Sequence, residues 1–188
     1  MKNLLELSKI KLLIAMTFGY GSFYFLNNYL TKGLYIAPGA HIIHLPSGVK
    51  MLLVLISGML GSIAITIVAF SYGMLNSFSH NYALVLSLAI LSGMIPLASL
   101  FLLNKLLKLS NDLSNLNWEK LLLISLTFAI LNSLSHQLVI YAYGESHDLF
   151  NGFLIMFTGD VTGIFIILYL FRFVLKIANA NQGQNTNH

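Results

Sequence analysis

The chain reads as an all-α, polytopic bundle of transmembrane helices, and three observations carry that reading. Long uncharged apolar runs repeat almost end to end, at 12–30, 51–72, 83–104, 121–143 and 150–171. Each is long enough to cross a hydrocarbon core of about 30 Å, which needs about 20 helical residues. Of 188 residues, 57% are hydrophobic and 9% charged, and the mean hydropathy is +0.80; soluble domains carry about 25% charged residues. In lipid, backbone groups must bond within their own segment, so the runs are helices rather than open strands.

The elements follow in order. The first run, Leu12 to Leu30, is preceded by Lys2, Lys9 and Lys11, as a signal peptide would be. It is longer than an h-region and has no small-residue cleavage site, so it is read as a retained helix. The stretch KGLYIAPGAHIIHLPSGVK, up to Lys50, is apolar but short, and Pro38-Gly39 interrupts it. Lys and Arg near helix ends favour the cytoplasmic side. With the 105–120 loop inside, the uncharged break at 73–82 and the acidic break at 144–149 lie outside, and the C-terminus is inside. Keeping the three N-terminal lysines inside then requires a crossing between residues 31 and 50. Six spans result, the second short and broken at Pro38-Gly39, with both termini cytoplasmic and Lys50 at an inner helix end. A second topology fits the same runs: five spans plus a re-entrant segment, with the N-terminus outside. Residues 1–178 form a single integral membrane domain, and 179–188 read as a disordered polar tail rich in Asn and Gln.

Composition also excludes functions. With almost all of the chain used in crossing, there is no soluble catalytic or DNA-binding domain. The net charge of +4 sits at helix ends, where it meets lipid headgroups, so nucleic acid is not expected as a partner. The implied partners are the lipid bilayer and either protein subunits or a small-molecule ligand, and the expected location is the bacterial cytoplasmic (inner) membrane. There is no cysteine, hence no disulfide, thiolate metal site or c-type haem attachment. No Walker sequence, GxSxG elbow or EF-hand loop occurs. Small residues at packing intervals, Gly58-xx-Gly61-Ser62 and Gly159-xxx-Gly163, predict close helix contacts.

Ionisable residues within a membrane are costly, so each is a functional candidate. Asp160, in MFTGDVTGIF, stands about 15 Å into the last run. A hexapeptide echo, Leu75-Asn76-Ser77-Phe78-Ser79-His80 and Leu131-Asn132-Ser133-Leu134-Ser135-His136, agrees at five of six positions. Repeats with polar segments in corresponding places point to transporter sites. His80, Asn132, His136, Gln137 and Asp160 would thus meet in the outer half of the bundle. The alternative is a set of interhelical hydrogen bonds. His41 and His44, three apart, would share a helical face and could join one metal ion with His136 or Asp160. Haem on His44 and His136 is formally compatible, and nothing in the sequence selects a cofactor. The loop Glu145-Ser146-His147-Asp148 reads as a solvated turn.

The segment HLPSGVKMLLVLISGMLGSIAI (44–65), a proline-small-glycine turn opening a helix with spaced glycines, joins His136-Gln137 and Gly159-Asp160 in a pattern. That pattern resembles small bacterial multi-span membrane proteins of uncharacterised function. The turn-then-helix part is also similar to the membrane sensory domain MASE1 and to the substrate-binding S components of energy-coupling-factor vitamin transporters. The second resemblance implies six helices, ligand capture, and separate ATPase and coupling subunits; the first implies signalling to a cytoplasmic partner. Only a short tail follows the last run, unlike MASE1 proteins, and Ala15-Met16-Thr17-Phe18-Gly19 departs from an S-component docking helix. The expected function is small-molecule or ion transport, or ligand capture, through a polar pocket. A sensory module is the alternative, and a His/Asp metal- or haem-binding enzyme the third reading.

Overall fold

A computed structural model describes the backbone of residues 2–31, 35–37, 40–41, 43–76, 78–108 and 117–185, and side chains over 7–31, 43–76, 78–108 and 117–173. Among these residues lie six α-helices: α1 (Lys2–Leu30), α2 (Leu45–Ser57), α3 (Met59–Leu75), α4 (Tyr82–Leu107), α5 (Trp118–Ala142) and α6 (Leu149–Asn185). Two short strands, β1 (Tyr35–Ala37) and β2 (Ala40–His41), pair antiparallel between α1 and α2. The helix α6 runs through Asn185, so 179–185 is helical where a disordered tail is expected.

Side-chain contacts fix the directions of the helices. Asn27 of α1 meets the start of α2, while Tyr20 shares a cluster with Val54, so these two run antiparallel. Gly21 faces Val68, and Phe25 packs on Tyr72, so α1 and α3 run parallel. Gly73 lies on Val85 and Gly93 on Ser62, which makes α3 and α4 antiparallel. Ser92 reaches His136, and Asn132 reaches Asp160, giving alternation through α5 and α6. Successive helices therefore alternate, and the two chain ends fall at one end of the bundle.

The second and third elements differ from the expectation. The apolar run 51–72 is not one helix: it holds the end of α2, a reversal at Gly58 and most of α3. Gly58 has φ 54° and ψ −122°, a backbone conformation costly for any residue with a Cβ. Three residues on, a Cβ at Gly61 would lie 2.5 Å from the Leu53 carbonyl oxygen, so α3 folds back directly against α2. Hydropathy cannot register this turn, because Ser57 and Gly58 carry no charge. Pro38 and Gly39 lie outside the described residues, and their flanks are strand, so the expected helix broken there is replaced by strand pairing and a helix that begins only at Leu45. The expected shared helical face of His41 and His44 is lost with it, since His41 is in β2 and His44 precedes α2.

Starting a helix inside a bundle leaves N–H groups to satisfy. His44, at the N-cap, supplies no side-chain bond. Asn27 of α1 supplies it instead, its Oδ1 accepting from the Leu45 N–H at 3.2 Å. Pro46 in the first turn has no N–H to satisfy. Asn27→Ala is expected to cost about 1 kcal/mol, read as a lower midpoint in detergent-driven unfolding followed by the fluorescence of Trp118, the single tryptophan.

Among the described residues three helices are long and apolar enough to cross a membrane: α4, α5 and residues 149–173 of α6. α2 and α3 are shorter apolar helices. On α5 the buried stripe carries Ser125, Asn132, Ser133, His136 and Gln137 beside Ile124, Phe128, Ala129 and Ile140, whereas Leu123, Ile130, Leu134 and Leu138 are exposed. A water-soluble helix keeps its outward face polar, and this one does not.

Candidate functional site

The polar interior centres on Asp160, 1% exposed, near the middle of the apolar part of α6. Its approach to α2 is made by glycines on the same face. Gly159 O accepts the His44 N–H at 3.0 Å, and a Cβ at Gly163 would lie 1.9 Å from the His44 carbonyl oxygen. The backbones touch there, which lets the first turn of α2 reach the carboxylate. Ser47 Oγ donates to Asp160 Oδ1. From α5, Asn132 Nδ2 donates to Oδ2 at 2.7 Å and Ser133 Oγ at 3.2 Å. Three donors from two helices thus hold one carboxylate, and the positive N-terminal end of α2 adds to its stabilisation.

The second charged group is Lys50, one turn beyond Ser47 and 3% exposed. It is not at a helix end, as the charge rule placed it, but within α2 inside the bundle. Ser47, which donates to Asp160, lies three residues before Lys50 on the same face of α2, so the lysine and the carboxylate share one interior. Opposite charges sharing a low-dielectric interior offset part of the desolvation that each pays.

One turn further along α5, His136 is also buried. Its Nδ1 lies 2.9 Å from the Asn132 carbonyl, which can only accept, so Nδ1 carries a proton. Nε2 then accepts from Ser92 Oγ at 3.1 Å, linking α4. Gln137 is buried on the other flank, its amide packed on Gly152 and Met156. The His44 ring stands edge-on to Tyr24, at 5.8 Å between centroids, within an aromatic group that includes Tyr20 and Tyr72.

Of the sequence candidates, Asn132, His136 and Asp160 are joined by hydrogen bonds through one connected network, with Gln137 and His44 at its edges. His80 is not part of it. It lies in the α3–α4 turn, its side chain 64% exposed, and pairs with Glu145 of the α5–α6 loop at 2.8 Å. The two halves of the hexapeptide echo are placed differently: 131–136 is mid-helix in α5, while 75–80 is a helix end and turn, so equal residues meet unequal surroundings. The side chain of His41 lies outside the described residues. Among the described residues no three His, Asp or Glu side chains converge as metal ligands. His80→Ala is expected to shift stability by less than about 1 kcal/mol, as exposed ion pairs do; the unfolding midpoint checks it. In the same loop, the Asn151 backbone N–H, followed by its side-chain amide, holds the Asp148 carboxyl below its ordinary range, making Asp148 the cap of α6.

Sequence reasoning missed Ser47, Lys50, Ser133 as a ligand of Asp160, and Asn27. Ser47 and Lys50 are three apart, one face of a helix starting at Pro46, which is a readable signal once the helix start is placed there. No protein-family model matches the chain, and searches of curated proteins and of solved structures find no match.

Proposed function

We propose that the chain is an integral membrane protein that moves a small solute or ion, with the Asp160 centre as its binding site. One observation carries the reading: a carboxylate and a lysine are buried together midway along the bundle, where α2 begins as an interrupted helix beside α6. Intramembrane ionisable groups mark substrate and ion paths, and discontinuous helices at mid-depth build transporter sites. The apolar outward face of α5, with polar residues kept inside, fits lipid as the solvent. In this reading all six helices cross, α2 together with the non-helical segment before it, and both chain ends lie on the cytoplasmic side. The resemblance to S components adds the expectation that ATPase and coupling subunits from other chains supply the energy.

The test uses proteoliposomes of the full chain on a solid-supported membrane, exposed to concentration jumps of inorganic ions, amino acids, organic acids, sugars, nucleosides and vitamins. Transport predicts a transient current or uptake with at least one pool, lost in Asp160→Asn. A response from none of them, or one unchanged by Asp160→Asn, overturns the reading.

A further inference from the structure

Counting hydrogen-bond valences at the Asp160 centre leaves a surplus of acceptors. The carboxylate offers about four lone-pair sites and receives three donors, from Ser47, Asn132 and Ser133. Each hydroxyl has spent its proton on the carboxylate and keeps its own lone pairs. The Asn132 amide is oriented by its donation to Asp160, so its Oδ1 is an acceptor, and this atom is buried with no partner. Asn132 as a whole is 0% exposed, as are Ser47 and Ser133. A buried amide oxygen without a partner costs free energy. Among the described residues the carboxylate is touched by Ser47, Asn132 and Ser133 and not by Lys50.

We propose that the Asp160 carboxylate, Asn132 Oδ1 and the hydroxyls of Ser47 and Ser133 form a binding site for one dehydrated monovalent cation of sodium size. The one atom of this group left without a partner is an oxygen acceptor, so the group it lacks is a cation or a donor. Oxygen-only ligands suit hard cations. A single carboxylate with Lys50 nearby is too weakly negative for calcium, which takes six to eight oxygens, often several carboxylates, and magnesium keeps its waters. Lys50 is an internal rival, because its charge and the ion's compete for one carboxylate. The site deepens the transport reading by naming the coupling ion, and rests on that reading only for the claim that the ion moves.

The experiment is a melt of the full chain in detergent, titrated with NaCl at fixed pH, with choline chloride holding ionic strength constant and with LiCl and KCl series alongside. Sodium is expected to raise Tm saturably, by roughly 3–8 °C at saturation, with isotopic sodium dialysis giving one ion per chain. Asp160→Asn abolishes the rise. Ser133→Ala, a milder change that keeps the fold, raises the half-saturating concentration about tenfold, and Lys50→Met lowers it by a similar factor. Equal melts in sodium, lithium, potassium and choline mean that water alone fills the centre, and overturn the proposal. A saturable response that Asp160→Asn and Ser133→Ala leave unchanged places the ion elsewhere, and overturns it too. Solute currents that persist in sodium-free buffer, with no sodium binding, sink the cation site and leave transport standing. Sodium binding with no solute response leaves the site and removes transport.

Discussion

Substituting valine for Gly163 is expected to undock the start of α2 from α6 and to pull the Asp160 centre apart. Even the first carbon of a side chain there would sit 1.9 Å from the His44 carbonyl oxygen, 2.4 Å from its carbon and 2.9 Å from the Leu45 nitrogen. All three are backbone atoms at a helix start, so no rotamer change relieves the clash. Overpacking typically costs 1–3 kcal/mol, and valine at this site is expected to reach about 3 kcal/mol or more. The measurement is unfolding in SDS followed by Trp118 fluorescence. Gly19→Ala is the control, since no atom lies within 4 Å of a Cβ there. Helix propensity alone should make that change neutral or stabilising by up to about 1 kcal/mol. Equal midpoints for Gly163→Val and the parent chain would show that α2 does not pack on α6 at this point.

The same glycine pair shows what the sequence makes legible. Gly159-xxx-Gly163 was readable as a helix contact because the absence of side chains at four-residue spacing has a single geometric use in lipid. Its partner was not readable. The pair receives the non-helical approach to α2, and a chain segment with no periodicity leaves no pattern to read. Apolar runs placed α4 and α5 to within three residues at each end, since each run is bounded by polar loops. The α2–α3 reversal was hidden for the opposite reason: both sides of Gly58 are apolar, and a single glycine in a run also fits a continuous helix.

Lys50 shows how a sound rule can mislead. Basic residues at run boundaries usually stand at the membrane surface, and Lys50 stood at the boundary of the 51–72 run. Once that run proves to be two helices, the boundary is no longer an edge, and the lysine becomes an interior charge in need of a counter-charge. Asp160 was legible from the start because it interrupts a run and cannot be explained by a boundary. Asn132 and His136 are picked out by the hexapeptide echo, and the structure adds a firmer reason, their place on the buried stripe of α5. His80 is picked out by the same echo, but a turn exposes it.

Removing Asp160 should therefore cost more than removing Lys50, although the two charges are opposite and equal. Without Lys50, the Asp160 carboxylate keeps its three donors from Ser47, Asn132 and Ser133. Without Asp160, the ammonium of Lys50 loses its counter-charge, and those three donors lose their acceptor. Stranding one member of a buried pair typically costs 3–5 kcal/mol, while replacing both by apolar groups is often neutral. Asp160→Leu is expected at or above the top of that range, Lys50→Met clearly below it. The double variant should be more stable than Asp160→Leu alone, with a coupling of about 1–3 kcal/mol. Size-exclusion recovery after a temperature series orders the three variants, and SDS unfolding gives the coupling for those that fold. If the two single losses simply add to within about 0.5 kcal/mol, Lys50 and Asp160 are energetically independent, and the paired-charge centre is not what holds α2 in place.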